Sequence, residues 1–108
     1  MTDTVEIRRY QTTAGHVPVS EWLGDLDAVT SGRVMAYVDR MKRGNFGNSR
    51  SVGEKVMELK INFGAGYRVY YMRDGETIVV LLCGGDKGSQ QSDISQAHRY
   101  AADYWRRK

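Results

Sequence analysis

One cysteine, one proline and two histidines leave this 108-residue chain short of several common kinds of chemistry. Cys83 alone cannot close an internal disulfide, which fits a reducing cytoplasm. His16 and His98 lie far apart in the chain, and with a single thiol they supply no clustered ligand set, so no metal centre is expected. No Ser-His-Asp arrangement can be read from the spacing. No apolar run approaches the roughly 20 residues that a bilayer-spanning helix needs. "MTDTVEIRRY" has no apolar core of the kind a secretion signal carries. "GGDKGS" resembles a phosphate-cradling loop only superficially, because the spacing and lysine position of a P-loop are missing. Repeats, linkers and low-complexity tracts are absent. The expectation is one cytoplasmic domain over residues 1–108, without cofactor and without a membrane role.

What is present describes a folded protein. The chain is 41% hydrophobic and 27% charged, enough apolar material to close a core at this length. The net charge is +3, and its distribution is uneven. Seven acids cancel seven bases up to Glu54; from Lys55 onward nine bases face six acids. The excess lies wholly in the second half, a mild sign of an anionic partner.

Periodicity orders the elements. "VEIRRY" (Val5 to Tyr10) alternates as a short strand, and the loop "QTTAGHVP" ends at Pro18, a good first helical position. "VSEWLGDLD" puts Trp22, Leu23 and Leu26 on one helical face. A second helix is predicted from about Thr30 to Arg43 through Val34, Val38 and Met41, stopped by Gly44. Its outer face carries Arg33, Arg40, Lys42 and Arg43. "GNFGNS" reads as an exit loop. The period then changes to two. "MELKINF" points Leu59, Ile61 and Phe63 one way and Glu58, Lys60 and Asn62 the other. "GAG" turns the chain into "YRVYYM", and Asp74-Gly75 is a strong hairpin signal. "TIVVLLC" (Thr77 to Cys83) is apolar on both faces, as a strand covered from both sides would be. A last helix spans about Gln90 to Arg106, with Ile94, Ala97, His98, Ala101, Tyr104 and Trp105 on one stripe. The fold class is α+β: an antiparallel sheet in the order strand, two helices, three strands and C-terminal helix, with the helices on one face. Trp22, Trp105 and Cys83 are expected in the core, and His98 at its edge.

Register gives the open face its chemistry. With Leu59, Ile61 and Phe63 inward, and Val69 and Tyr71 inward on the next strand, Lys60, Asn62, Arg68 and Tyr70 share the other face. Like charges facing each other cost some tenths of a kcal/mol unless solvated or bridged by an anion. Lys87 and Asp86 follow at the end of the adjoining strand, where two glycines permit close backbone approach. Lys60, Arg68 and Lys87 with a tyrosine among them read as a phosphate-binding cleft, the arginine gripping two oxygens and the lysines acting as point charges. The competing reading is a set of solvated strand faces.

Three stretches, "WLGDL", "RGNFGNSRSVGEKVMELKINFGAGYRVYY" and "LLCGGDKGSQQSDISQA", together resemble the RelE/HigB-like toxin group. The likeness is greatest to its phage-derived branch, often labelled addiction-module killer proteins, and covers about Tyr10 to Tyr104. It implies a RelE-like fold and the toxin of a type II toxin–antitoxin pair, which enters the ribosomal A site and cuts messenger RNA without a metal. It implies a catalytic set of Lys60, Arg68, Lys87 and Asp86. Arg68 would stabilise the phosphate and Lys60 would stabilise charge or transfer a proton. Asn62, Tyr70, Arg73 and Asp93 would contact RNA. Some relatives carry a tyrosine or histidine as base near the chain end; here "GSQQSDI" offers Gln90 or Asp93 instead, and Asp86 is a further candidate. The implied partners are a cognate helix-turn-helix antitoxin, in a toxin–antitoxin hetero-oligomer, together with the ribosome and its message. Two alternatives stand beside this: a ParE-like inhibitor of DNA gyrase with the same fold and no nuclease activity, and an inactive basic interaction domain.

Overall fold

Alternating residues in the second half of the chain build the sheet. The computed structural model describes residues 5–108. Strands β1 (Glu6–Arg9), β2 (Ser49–Ser51), β3 (Met57–Ile61), β4 (Tyr67–Asp74) and β5 (Ile78–Asp86) lie in the order β1-β5-β4-β3-β2. The last three run antiparallel in sequence, as their patterns require, and the β4–β5 connection passes through Gly75 at φ 76°. The sheet is mixed, however: β1 pairs with the outer side of β5 in parallel, Glu6 opposite Ile78. Strand β2, which no pattern predicts, begins at the last residue of the expected exit loop and pairs with β3 over three residues.

Helices α1 (Pro18–Asp25) and α2 (Ala28–Met41) begin as their sequences dictate. Pro18 takes the first turn of α1, where its missing N–H costs nothing. The carboxylate of Asp27 caps α2 by accepting from the Thr30 amide at 2.7 Å. Both helices cover one sheet face, where Val19, Leu23, Val34, Val38 and Met41 pack on Leu59, Ile61, Val69, Tyr71, Val79 and Leu81.

Helix α3 (Gln90–Arg107) departs from the one-face arrangement. It packs on the opposite face, where Ala97 and Ala101 meet Tyr70, Met72, Val80 and Leu82. The reason lies in β5, whose apolar side chains point both ways; Val80 and Leu82 would otherwise face water. Small residues on α3 let the helix approach closely. A three-residue 3₁₀ turn, Lys87–Ser89, joins β5 to α3. Two glycines at the end of β5 admit neighbours from opposite sides, since a Cβ on Gly84 would lie 2.2 Å from the Trp22 ring and one on Gly85 1.8 Å from Asp93 Oδ2.

Trp105 is a second departure: it stays 41% exposed at the end of α3, while Tyr104 turns inward and donates to Asp74 at 2.6 Å. Cys83 is buried as expected, and His98 sits at the core edge, its Nε2 2.9 Å from the Val52 carbonyl. Among the described residues, no helix is long and apolar enough to cross a membrane.

Candidate functional site

The hairpin of β3 and β4 sets Lys60 directly opposite Arg68. Its turn needs left-handed backbone at Gly64 and Gly66, with φ 57° and 86°. The Gly66 carbonyl accepts from the Lys87 amide at 3.2 Å, which ties the end of β5 to that turn. The three cations therefore converge. Lys60, Arg68 and Lys87, with Asn62, Phe63 and the Gly64–Gly66 turn, line a cavity of about 340 Å³. A second cavity of about 370 Å³ adjoins it, sharing Lys60 and Arg68 and adding Asn48, Arg50, Glu58 and Gln90. The two form one groove beyond the N-terminus of α3.

Arg68 differs from the solvated residue that the strand pattern predicts. It is 6% exposed, because α3 covers the face it points to. Its Nε is buried without a hydrogen-bond partner and stands 3.7 Å from Glu58 Oε2. Burying an arginine is costly, and the Glu58 carboxylate offsets that cost at ion-pair rather than hydrogen-bond distance. Among the described residues, Lys60 and Lys87 have no ion-pair partner, and both side chains are exposed to the groove.

Glu58 was the residue strand alternation could not single out. It is 2% exposed, and its carboxylate collects Arg50 Nε at 2.9 Å, Gln90 Nε2 at 2.8 Å and the Tyr70 hydroxyl at 3.1 Å. Burial pushes its pKa up, but the hydrogen bonds from Arg50, Gln90 and Tyr70 outweigh this and leave it below the usual glutamate value. Glu58 is thus an ionised counter-charge beneath the cations, which lowers the cost of packing Lys60 against Arg68. Burial, with Glu58 beside it, raises the Tyr70 phenol well above its ordinary value. A signal for Glu58 existed only in its sharing a face with Lys60; its partners come from positions 50 and 90.

The remaining candidates divide. Asn62 lines the groove. Tyr70 is fully buried beneath it and contacts Glu58, so it supports the site from below and does not meet a ligand. Asp86 stands at the groove's end with its Oδ1 accepting from the Gly88 and Ser89 amides at 2.8 and 3.2 Å, so it caps the turn that presents Lys87. Asp93 packs over Gly85 and accepts from the Ser89 hydroxyl. Arg73 is elsewhere. It lies toward the far end of β4, donates to the Glu76 carbonyl at 2.6 Å and stacks on Phe46, because its register puts it on the α1–α2 side. His16 pairs with Glu21 at 2.9 Å, outside the groove.

A further basic cavity is lined by Arg8, Arg9, Tyr10, Tyr104, Arg107 and Lys108. Arg8 pairs with Glu6 within β1, Arg107 pairs with Asp103 within α3, and Arg9 donates to the Ser20 hydroxyl at 2.7 Å. The contacts that latch α3 to the rest of the fold are Lys108 to Asp74 and the Tyr10 hydroxyl to Asp103 at 2.6 Å. Among the described residues, no three His, Cys, Asp or Glu side chains group so as to hold a metal ion. The groove brings a buried guanidinium together with two exposed ammonium groups.

Comparison with known proteins agrees in extent with this architecture. A family model described as phage derived protein, Gp49-like, matches residues 21–103, which takes in every groove residue. An uncharacterized protein of Haemophilus influenzae is 41% identical over 83 residues, covering 76% of this chain and 84% of that protein.

Proposed function

This chain belongs to the phage-derived Gp49-like family, and from that premise we propose that it is the toxin of a type II toxin–antitoxin module, a messenger-RNA endonuclease. The observation that carries the reading is Arg68: a buried guanidinium whose Nε faces Glu58 at 3.7 Å without a hydrogen bond, and which shares one open cavity with the unpaired Lys60 and Lys87. The RelE-like order of elements and the resemblance described above support it further.

RNA supplies its own nucleophile. The 2′-hydroxyl loses its proton, its oxygen bonds to the adjacent phosphorus, and the 5′ oxygen leaves with a proton, giving a cyclic phosphate and a 5′-hydroxyl end. The pentacoordinate phosphorus carries extra negative charge, and Arg68 opposes it with a planar fork of donors. Lys60 and Lys87 neutralise the flanking oxygens, and Lys60, beside Arg68, is the candidate for proton transfer. Glu58 keeps Arg68 in place, and Asp86 fixes the turn bearing Lys87. The partners in this reading are a ribosome-bound message and a helix-turn-helix antitoxin whose acidic segment covers the groove.

Induced expression tests it. Wild type should arrest growth and leave cut messages with 5′-hydroxyl ends, whereas Arg68→Ala and Lys60→Ala should restore growth while remaining folded. Toxicity undiminished in the double variant would sink the assigned roles. Arrest with intact messages and inhibited DNA supercoiling would replace nuclease activity with gyrase inhibition.

A further inference from the structure

The groove has two lobes, and only Lys60 and Arg68 belong to both. A phosphate held by that pair has one nucleotide on each side, so the lobes receive its two neighbours. Their linings differ in balance. Beyond the shared pair, the first lobe offers mainly the Gly64–Gly66 backbone and the Lys87 charge, with the Phe63 ring and a single amide, Asn62. The second adds Asn48, Arg50, Glu58 and Gln90, which carry directional donors and acceptors. We propose that this second lobe is a nucleobase-reading subsite, in which Asn48 and Gln90 set the base accepted beside the phosphate held by Lys60 and Arg68. The inference rests on the RNA reading above.

Glu58 is not the reader. Arg50 occupies its Oε1, while Tyr70 and Gln90 occupy Oε2, with Arg68 at 3.7 Å. It is a positioning residue that leaves no carboxylate oxygen for a base. Gln90 spends its Nε2 on Glu58, which orients the amide and leaves its Oε1 as an acceptor. The Asn48 side chain is exposed and makes no hydrogen bond among the described residues. Its backbone is nevertheless fixed, since the Asn48 carbonyl accepts from the Lys60 amide at 2.9 Å. Base discrimination needs such groups: donors and acceptors on an anchored backbone that no protein group already occupies.

The test is anisotropy with labelled five-nucleotide RNAs whose riboses are 2′-O-methylated, so that attack is blocked, varied one base at a time. Wild type should prefer one base at a single position by roughly tenfold, the scale of one well-placed amide–base pair. Asn48→Ala, at an exposed position that leaves the unfolding midpoint unchanged, should flatten that preference to within about twofold. Gln90→Ala should weaken it, and Arg68→Ala should reduce binding of all RNAs alike. Binding without base preference, or preference retained by both amide variants, overturns the subsite and leaves the RNA reading standing. If wild type binds none of these free RNAs, the preference is read instead from the bases flanking the cuts in ribosome-bound messages, which Asn48→Ala and Gln90→Ala should flatten; if those messages also stay intact, the RNA reading falls, and the subsite with it.

Discussion

Arg68 carries more of the proposed chemistry than any other side chain, and its demands are geometric as well as electrostatic. A lysine there keeps the charge and loses the planar fork. Arg68→Lys is therefore expected to lower the cleavage rate by on the order of a hundredfold, near the cost of one lost transition-state donor. Circular dichroism should stay unchanged, which a merely structural role would not allow. Cys83 makes an independent prediction. Burial pushes its thiol up to about 12, so a maleimide or iodoacetamide at pH 8 should leave it unmodified in the native protein and label it in denaturant. At this scale the sequence was informative about type and face: Lys60, Asn62 and Arg68 were legible as one constellation. It was silent on exposure. Arg68 and Tyr70 share a strand face with Lys60, yet α3 buries the first two and leaves the third open. Arg73 failed for a related reason, since an odd step along β4 carries it to the other side of the sheet.

Among the elements, β5 and α3 decide the architecture. The end of β5 is pressed from both sides, so Gly84→Ala should cost about 1–3 kcal/mol by overpacking against Trp22, measured as a lower urea midpoint. Trp22→Phe, with its smaller ring, should recover part of that loss. The C-terminal turns of α3 are held by carboxylates. Asp74 is lowered from its ordinary 3.8 by Lys108 and Tyr104, and Asp103 by Tyr10, Arg107 and Arg106. Depressed folded-state values mean that this stabilisation is complete above about pH 4 and lost as pH falls through the folded values. Denaturant midpoints should accordingly drop between pH 5 and pH 3, and Asp74→Asn with Asp103→Asn should flatten that dependence. An unchanged slope in the double variant would remove the latch from the account. Most elements were readable from period and punctuation: Pro18, Gly44 and the Asp74-Gly75 hairpin fall where the structure uses them, whereas the Asp27 cap starts α2 two residues before the expected Thr30. Strand β2 was not, because "SRS" has no apolar alternation and exists only through pairing with β3.

For the molecule as a whole, the relevant property is where charge remains uncompensated. Arg8, Arg107 and Lys108 are paired with carboxylates, whereas Lys60 and Lys87, which share one cavity with Arg68, have no ion pair among the described residues. Binding of single-stranded RNA should therefore weaken steeply with salt, and each groove cation removed should reduce the log–log slope by about 0.7. Arg8→Ala, in the further basic cavity, should leave that slope unchanged. The chain alone determined the order of elements other than β2, the two-sided apolar strand and the common face of Lys60 and Arg68, because those follow from short-range alternation. Only the tertiary structure decided that α3 covers that face and that Gln90 reaches Glu58 across 32 positions, turning a row of solvated cations into a groove around a buried one. Local periods record which way a side chain points. They do not record which distant element arrives to meet it.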